Sequence, residues 1–307
     1  MDFSERKEGL CTELYNKTKN MDIITDIKEL DKSIVKIINN STTNISECLE
    51  NLFVDINNID DNIIYKKNLE PNTKYEINED TYETDDKGRI YKKNNEVLPN
   101  IEYKIGDTSY RTDDKGRTVY WEGSPKYNAD NERNESAQTD AGGKDRQKGD
   151  DGGHLVARVL GGASGKENIV AMRDTINRGD YKRSENEIAE AVKQGKEVKD
   201  SGKIIYEGDS QRPSKIERTY EIDGKKTELT VDNDVESKDL IEDIDGLITE
   251  DDMNNLKDEI SDMEQDGCKV SITSIEKKYD ESGNLISVTV GIRNETDGDK
   301  TYKVYQP

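Results

Sequence analysis

Large apolar side chains are too scarce in this chain to fill one extended core. Its 307 residues include 2 Phe and 1 Trp, and hydrophobic residues of every kind make up 30%. A chain so composed is expected to fold as a few small domains joined by polar segments, not as one large body. No apolar run approaches the roughly 18–20 residues of a membrane-spanning helix. The start, Met1-Asp2-Phe3-Ser4-Glu5-Arg6-Lys7-Glu8, lacks the apolar stretch of a secretory leader. Cys11, Cys48 and Cys268 lie far apart, with no Cys-x-x-Cys pair and no Cys/His cluster, so neither a disulfide framework nor a zinc site is expected.

The formal net charge is −22, which argues against an ordinary nucleic-acid binder. The charge is unevenly spread, however. Residues 1–109 carry 15 basic and 23 acidic side chains, residues 110–218 carry 21 of each, and residues 219–307 carry 10 and 24. Between Lys144 and Arg183 there are 9 basic and 6 acidic residues, a local excess of +3. The surplus acid belongs to the flanks, and the centre can face a phosphate backbone.

Periodicity divides the chain further. Ile23, Ile24, Ile27, Leu30, Ile34, Ile37 and Ile38 follow amphipathic helical spacing, and a second stripe runs from Leu49 through Leu52, Phe53 and Ile56. A helical N-terminal region is therefore expected over 1–66. The segment Tyr82-Glu83-Thr84-Asp85-Asp86-Lys87-Gly88-Arg89-Ile90-Tyr91 nearly recurs from Tyr110 to Tyr120, offset by 28 residues. Asp-Asp-Lys-Gly between β-forming residues is hairpin-turn chemistry, so tandem β-hairpins are expected, with residues 67–109 as a β-hairpin linker. Residues 124–150 read as a polar loop. Asn168–Met172 reads as a short strand and Asn177 as the start of a helix that ends near Gly195. Strands are expected over Lys203–Glu207 and Glu217–Val231, turning at Asp223-Gly224. An acidic helical segment near 236–264 and a hairpin over Lys269–Lys278 and Leu285–Arg293 make an acidic α+β appendage over 234–307.

The chemistry centres on His154, the only imidazole in the sequence and so the available general base near neutral pH. It follows Asp150-Asp151-Gly152-Gly153, where glycines let backbone approach a ligand. Downstream, Asn177, Tyr181 and Glu185 are spaced i, i+4, i+8, which would align them on one side of a helix. An amide oxygen and a carboxylate two turns apart suit a hard cation that keeps most of its waters, as Mg²⁺ does. Read singly, Asn177 also fits a helix N-cap and Glu185 a solvated helix face.

Taken together, Asp151-Gly152-Gly153-His154-Leu155-Val156-Ala157-Arg158, Asn168, and Asn177-Arg178-Gly179-Asp180-Tyr181-Lys182-Arg183-Ser184-Glu185 resemble the DNA/RNA non-specific endonucleases of the ββα-metal class. The likeness is to the Asp-Gly-Gly-His branch found in bacterial polymorphic toxins, and it spans roughly 110–233. Gln211-Arg212-Pro213-Ser214 and Tyr220–Gly224 are similar to the strands that close that domain. The resemblance implies an α+β fold: N-terminal helices, tandem hairpins and a ββα-metal core on an antiparallel or mixed sheet. It also implies a Mg²⁺-dependent (or Mn²⁺-dependent) endonuclease that hydrolyses DNA or RNA. In that scheme His154 is the general base, Asn177 the direct metal ligand, Glu185 an outer-shell holder of metal-bound water, and Asn168 an orienter of the histidine or of its loop. One metal would neutralise charge on the phosphate and leaving oxygen. Nothing in the scheme reads a base, so sequence specificity should be weak.

The family's more usual signature has Arg where this chain has Gly152. Arg146, Arg158 and Arg178 are the nearby candidates for phosphate contact, and the last two are carried as site residues. Toxins of this kind imply a cognate immunity protein and, without a leader, either export by a type VII-like route or a cytoplasmic location. Two other readings fit parts of the sequence. One is a degenerate, non-catalytic nuclease fold that acts through binding, favoured by Gly152 and the net charge. The other is calcium binding at Asp243–Asp252, an EF-hand-like run that puts Ile241 where the first carboxylate is required.

Overall fold

The structure is a computed structural model that describes residues 69–77, 80–129, 134–234 and 239–307. The chain divides into two compact units, residues 1–68 with 75–80 and residues 69–74 with 81–307. The helical region expected over 1–66 lies outside the described residues. The second unit is mostly strand with some helix, in agreement with an α+β class.

The near-repeat becomes structure first. Strands β1 (Asp80–Thr84), β2 (Ile90–Lys93) and β3 (Glu96–Val97) pair antiparallel, and β4 (Glu102–Ile105), β5 (Thr108–Thr112) and β6 (Thr118–Gly123) follow as a second copy. The two turns use the same chemistry. Asp85 accepts from the N–H groups of Lys87 and Arg89 at 2.9 and 2.8 Å, and Asp113 from those of Lys115 and Arg117 at 3.0 and 2.9 Å. Gly88 and Gly116 adopt φ of +72° and +73°, which costs a glycine little. Tyrosine supplies the bulk that phenylalanine does not: the chain has 15 Tyr, and Tyr91, Tyr103 and Tyr110 stack in series at 4.8 and 5.5 Å between ring centroids.

Residues 124–150, expected as a loop, contain helix α1 (Glu135–Asp140). Asn134 caps it by accepting from Ala137 N–H at 3.0 Å. With Ala137 as its single buried residue the helix has no apolar stripe, so hydrophobic spacing could not reveal it. Strands β7 (Asp150–His154) and β8 (Ile169–Arg173) then form an antiparallel hairpin pairing Asp150 with Arg173 and His154 with Ile169. Helices α2 (Asp174–Asn177) and α3 (Asp180–Lys193) follow. The expectation that Asn177 opens the long helix is corrected here: Asn177 closes α2, and α3 starts after Gly179. A Cβ at Gly179 would stand 2.3 Å from Thr175 O, so only glycine fits the bend between the two helices.

The rest is a meander: β9 (Val198–Tyr206), β10 (Pro213–Ile222), β11 (Lys225–Asp232), helix α4 (Glu250–Gln265), β12 (Val270–Tyr279), β13 (Leu285–Asn294) and β14 (Lys300–Tyr305). Nine strands form one antiparallel sheet in the order β14-β13-β12-β11-β10-β9-β6-β5-β4. Between its neighbours β6 and β9 the chain leaves the sheet, and this excursion carries α1, β7, β8, α2 and α3. Its apolar side, with Leu155, Met172, Ile176, Tyr181 and Ile188, joins Trp121, Ile216 and Val231 of the sheet in one core. A second cluster, including Leu240, Leu256, Ile272 and Val290, lies under α4. The first cluster draws on residues up to Val231 and the second on residues from Leu240 onward, while one sheet runs through both. Among the described residues, no helix is long and apolar enough to cross a membrane.

Candidate functional site

The β7–β8 hairpin and the α2–α3 bend enclose a cleft of about 480 Å³, lined by Gln138, Asp151, Gly152, His154, Asn177, Arg178, Lys182 and Glu185. His154, Asn177, Arg178 and Glu185 are therefore brought together. Arg158 and Asn168 are not in this lining.

Each lining residue is held from below. Asp150, the first residue of β7, is buried against the guanidinium of Arg212 at 2.8 and 3.1 Å, which leaves its neighbour Asp151 to face the cleft. Asp151 accepts from Arg178 at 2.8 and 2.7 Å and from Asn177 Nδ2 at 3.0 Å. The Arg178 guanidinium holds its carboxyl below the usual aspartate range, with Asn177 adding to the effect and partial burial opposing it. A carboxylate only accepts, so this contact turns the amide N–H of Asn177 toward Asp151 and leaves Oδ1 as the acceptor atom of that amide. That oxygen lies beside Gly153, where a Cβ would stand 3.0 Å from it.

Glu185 projects from the buried side of α3 and is 8% exposed. Burial raises its carboxyl pKa, against the pull of Arg218 and Lys182. Lys182 sits one turn earlier and pairs with it at 3.1 Å. Beneath, Arg218 is fully buried, bonded twice to Asp200 at 2.8 Å and to Ser184 Oγ at 3.2 Å. Tyr181, expected on the same face as Asn177 and Glu185, is instead a core residue, and its hydroxyl donates to Leu155 O at 2.7 Å.

The loop that leaves His154 is fixed by Asn168. This fully buried amide accepts from Val156 N–H at 2.9 Å and donates to the carbonyls of Val156 and Ala163 at 2.9 and 2.8 Å. Its own carbonyl accepts from Leu155 N–H at 2.8 Å. The residue after the histidine is thus held on both sides, by Asn168 and by Tyr181.

The arginine candidates separate cleanly. Arg146 staples α1 to β7 by donating to the carbonyls of Gln138, Ala141 and Asp150 at 2.8, 3.1 and 2.6 Å, so it is removed as a phosphate contact. Arg158 donates to Ala129 O at 3.2 Å, outside the cleft lining. Arg178 remains, in the cleft and 70% exposed. Lys182 was missed in the sequence, although its i, i+3 spacing from Glu185 is a readable pairing signal. Gln138 left no signal, because its helix did not.

The donor set fits a hydrated hard cation. Among the described residues no group of three or more His, Cys, Asp and Glu side chains gathers as a metal cage. Besides Asp151, which Arg178 and Asn177 already engage, the cleft offers the amide oxygens of Asn177 and Gln138 and the buried carboxylate of Glu185. Hard oxygen donors in so small a number suit Mg²⁺ or Mn²⁺ with most of its waters retained.

Residues 99–224 match the model of the DNA/RNA non-specific endonuclease family. The type VII secretion system protein EssD of Staphylococcus aureus, in strains USA300 and NCTC 8325 / PS 47, is 43% identical over 103 residues, or 32% of this chain and 17% of the relative. The same figures hold for EssD of strain Newman. The chain thus spans about a sixth of the length of these relatives.

Proposed function

We propose, from the match of residues 99–224 to the DNA/RNA non-specific endonuclease family, that this protein is a divalent-metal-dependent nuclease that hydrolyses phosphodiester bonds through a ββα-metal core. The observation that carries the reading is the convergence of His154, Asn177, Arg178 and Glu185 on one cleft. His154 accepts the proton of the attacking water. Asn177 would hold the cation through its amide oxygen and Glu185 would hold water beside it, while Asp151 sets the orientation of the Asn177 amide. When bound there, Mg²⁺ or Mn²⁺ supplies positive charge to the scissile phosphate and the leaving oxygen. Arg178 binds a phosphate oxygen from the cleft wall, the task that Gly152 cannot perform. Asn168 is a positioning residue for the loop after His154.

The proposed roles of His154, Asn177, Arg178 and Glu185 all address the phosphate and its cation, which supports action on DNA and RNA without sequence preference. The likeness to a type VII secretion system protein supports export by a type VII-like route, and on the resemblance to polymorphic toxins the protein would be a bacterial toxin effector with a cognate immunity protein as its partner in the producing cell. Incubation of plasmid DNA and of folded RNA with the protein in Mg²⁺, Mn²⁺ or EDTA tests the reading. Cleavage with either metal and none in EDTA is expected; cleavage that persists in EDTA would overturn the metal assignment.

A further inference from the structure

The bend that presents Asn177 and Arg178 is anchored at both ends by ion clusters, and both are completed by strands beyond the matched segment. Before the bend, Arg173 at the end of β8 pairs with Glu295 at 2.6 Å and donates to Asp234 O at 2.8 Å. Glu295 is itself held by Ser271 and Arg293, at 2.5 and 3.2 Å. After the bend, Asp180 opens α3 with a fully buried side chain, ion-paired to Lys300 and accepting from the Tyr302 hydroxyl at 2.7 Å.

Strand β12 shows why these contacts are more than incidental. Val270, Ile272 and Ile275 enter the apolar cluster under α4. The intervening Ser271, Thr273 and Glu276 are buried too, and they reach Glu295, Asp180 and Arg183 instead. A polar strand face is buried at a cost unless it finds partners, and here the partners flank the bend. Gly291 on β13 completes the fit, since a Cβ there would stand 2.4 Å from Ser274 Oγ and 3.5 Å from Asp180 Oδ2.

We propose that strands β12–β14 act as a clamp that sets the position of Asn177, and with it the cation affinity of the cleft, with Glu295 and Asp180 as positioning residues. The proposal rests on the proposed role of Asn177 as cation ligand. Helix α2 is a single turn, too short to hold its own geometry, so the orientation of its last residue depends on its anchors. Mg²⁺ tolerates little departure from octahedral placement of its ligands, which makes anchoring a matter of affinity as well as of stability. The nuclease site would then be incomplete without the acidic C-terminal region.

The test uses the full chain and Mn²⁺ alone as probe, followed by calorimetry or electron paramagnetic resonance, together with amide exchange across residues 174–179. Glu295→Gln and Tyr302→Phe each remove one anchor contact and keep side-chain size. Each is expected to weaken Mn²⁺ binding about tenfold, as loss of a ligand's support does, and to speed exchange across 174–179. Turnover at saturating Mn²⁺ should stay within about threefold of wild type, since no transition-state contact is removed. Lys303→Met, which breaks the Lys303–Glu259 pair between β14 and α4, is the control: a lower Tm with Mn²⁺ affinity unchanged. Lys300→Met is expected to be the most destabilising variant because Asp180 stays buried without its cation; if it does not fold, the two milder variants decide. Unchanged Mn²⁺ affinity in folded Glu295→Gln and Tyr302→Phe, with or without faster exchange, would overturn the clamp. If the wild-type chain cuts no nucleic acid, the proposed function fails while the Mn²⁺ and exchange readouts still judge the clamp.

Discussion

Gly152 lies directly against the backbone of Gln138, so that a Cβ at Gly152 would stand 2.4 Å from both Cα and O of Gln138. The position where related nucleases carry arginine has no room for any side chain here. Helix α1 has taken that space, and Arg146 fastens the helix there. Gly152 is therefore a packing requirement of this chain. Gly152→Arg, which restores the more usual motif, should destabilise by about 1–3 kcal/mol or more through overpacking and should lower activity. Thermal unfolding and cleavage rates check this; a gain in activity without loss of stability would refute the packing argument.

The two arginines near the cleft should fail in different ways. Arg178 is exposed and bonded to a single carboxylate, so Arg178→Ala should leave Tm nearly unchanged. It should raise KM for nucleic acid about tenfold, the scale of one charge-assisted hydrogen bond. Arg146→Ala strips four carbonyls of their donor and should lower Tm first. Steady-state kinetics beside a melting curve separates the two patterns; the reverse assignment would return Arg146 to the list of phosphate contacts.

Acid should loosen the tandem hairpins through Asp85. Burial pushes its carboxyl up, yet the bonds from Arg89, Lys104 and Lys87 outweigh that and hold it below the ordinary value of 3.8. The unfolded chain then binds more protons than the folded one in that range, so stability rises with pH. The contribution is complete above about pH 4 and is lost as pH falls through the lowered value. Asp85→Asn should flatten the acid limb of a stability–pH curve; an unchanged limb would show that another carboxyl carries it.

Much of the site was legible in the sequence because it rests on residue types with few substitutes. A lone imidazole, flanking glycines and the Asn-x₇-Glu spacing survive as the cleft itself. The bend at Gly179 was not legible: Asn177, Arg178 and Asp180 are polar whether they continue a helix or interrupt it. Helix α1 was hidden because it buries a single alanine. The strand Lys300–Tyr305 escaped notice because its charged and aromatic residues do not alternate as an apolar stripe; its Lys300 and Tyr302 serve the buried Asp180 instead. Segmenting the net charge of −22 pointed to a usable central face. It could not reveal that acid from the C-terminal region is spent internally, as Glu276 and Glu295 are on Arg183 and Arg173.

The central claim is that His154 and a divalent cation together hydrolyse phosphodiesters. The direct measurement is the rate of cleavage of supercoiled plasmid and of RNA at saturating Mg²⁺ by wild type and by His154→Ala, each with its fold verified. Loss of the general base is expected to slow cleavage by about 10²–10⁴-fold, with nucleic-acid binding retained. Equal rates for the two proteins, or binding by the wild type without any metal-dependent cleavage, would contradict the account and leave a binding protein built on a nuclease fold.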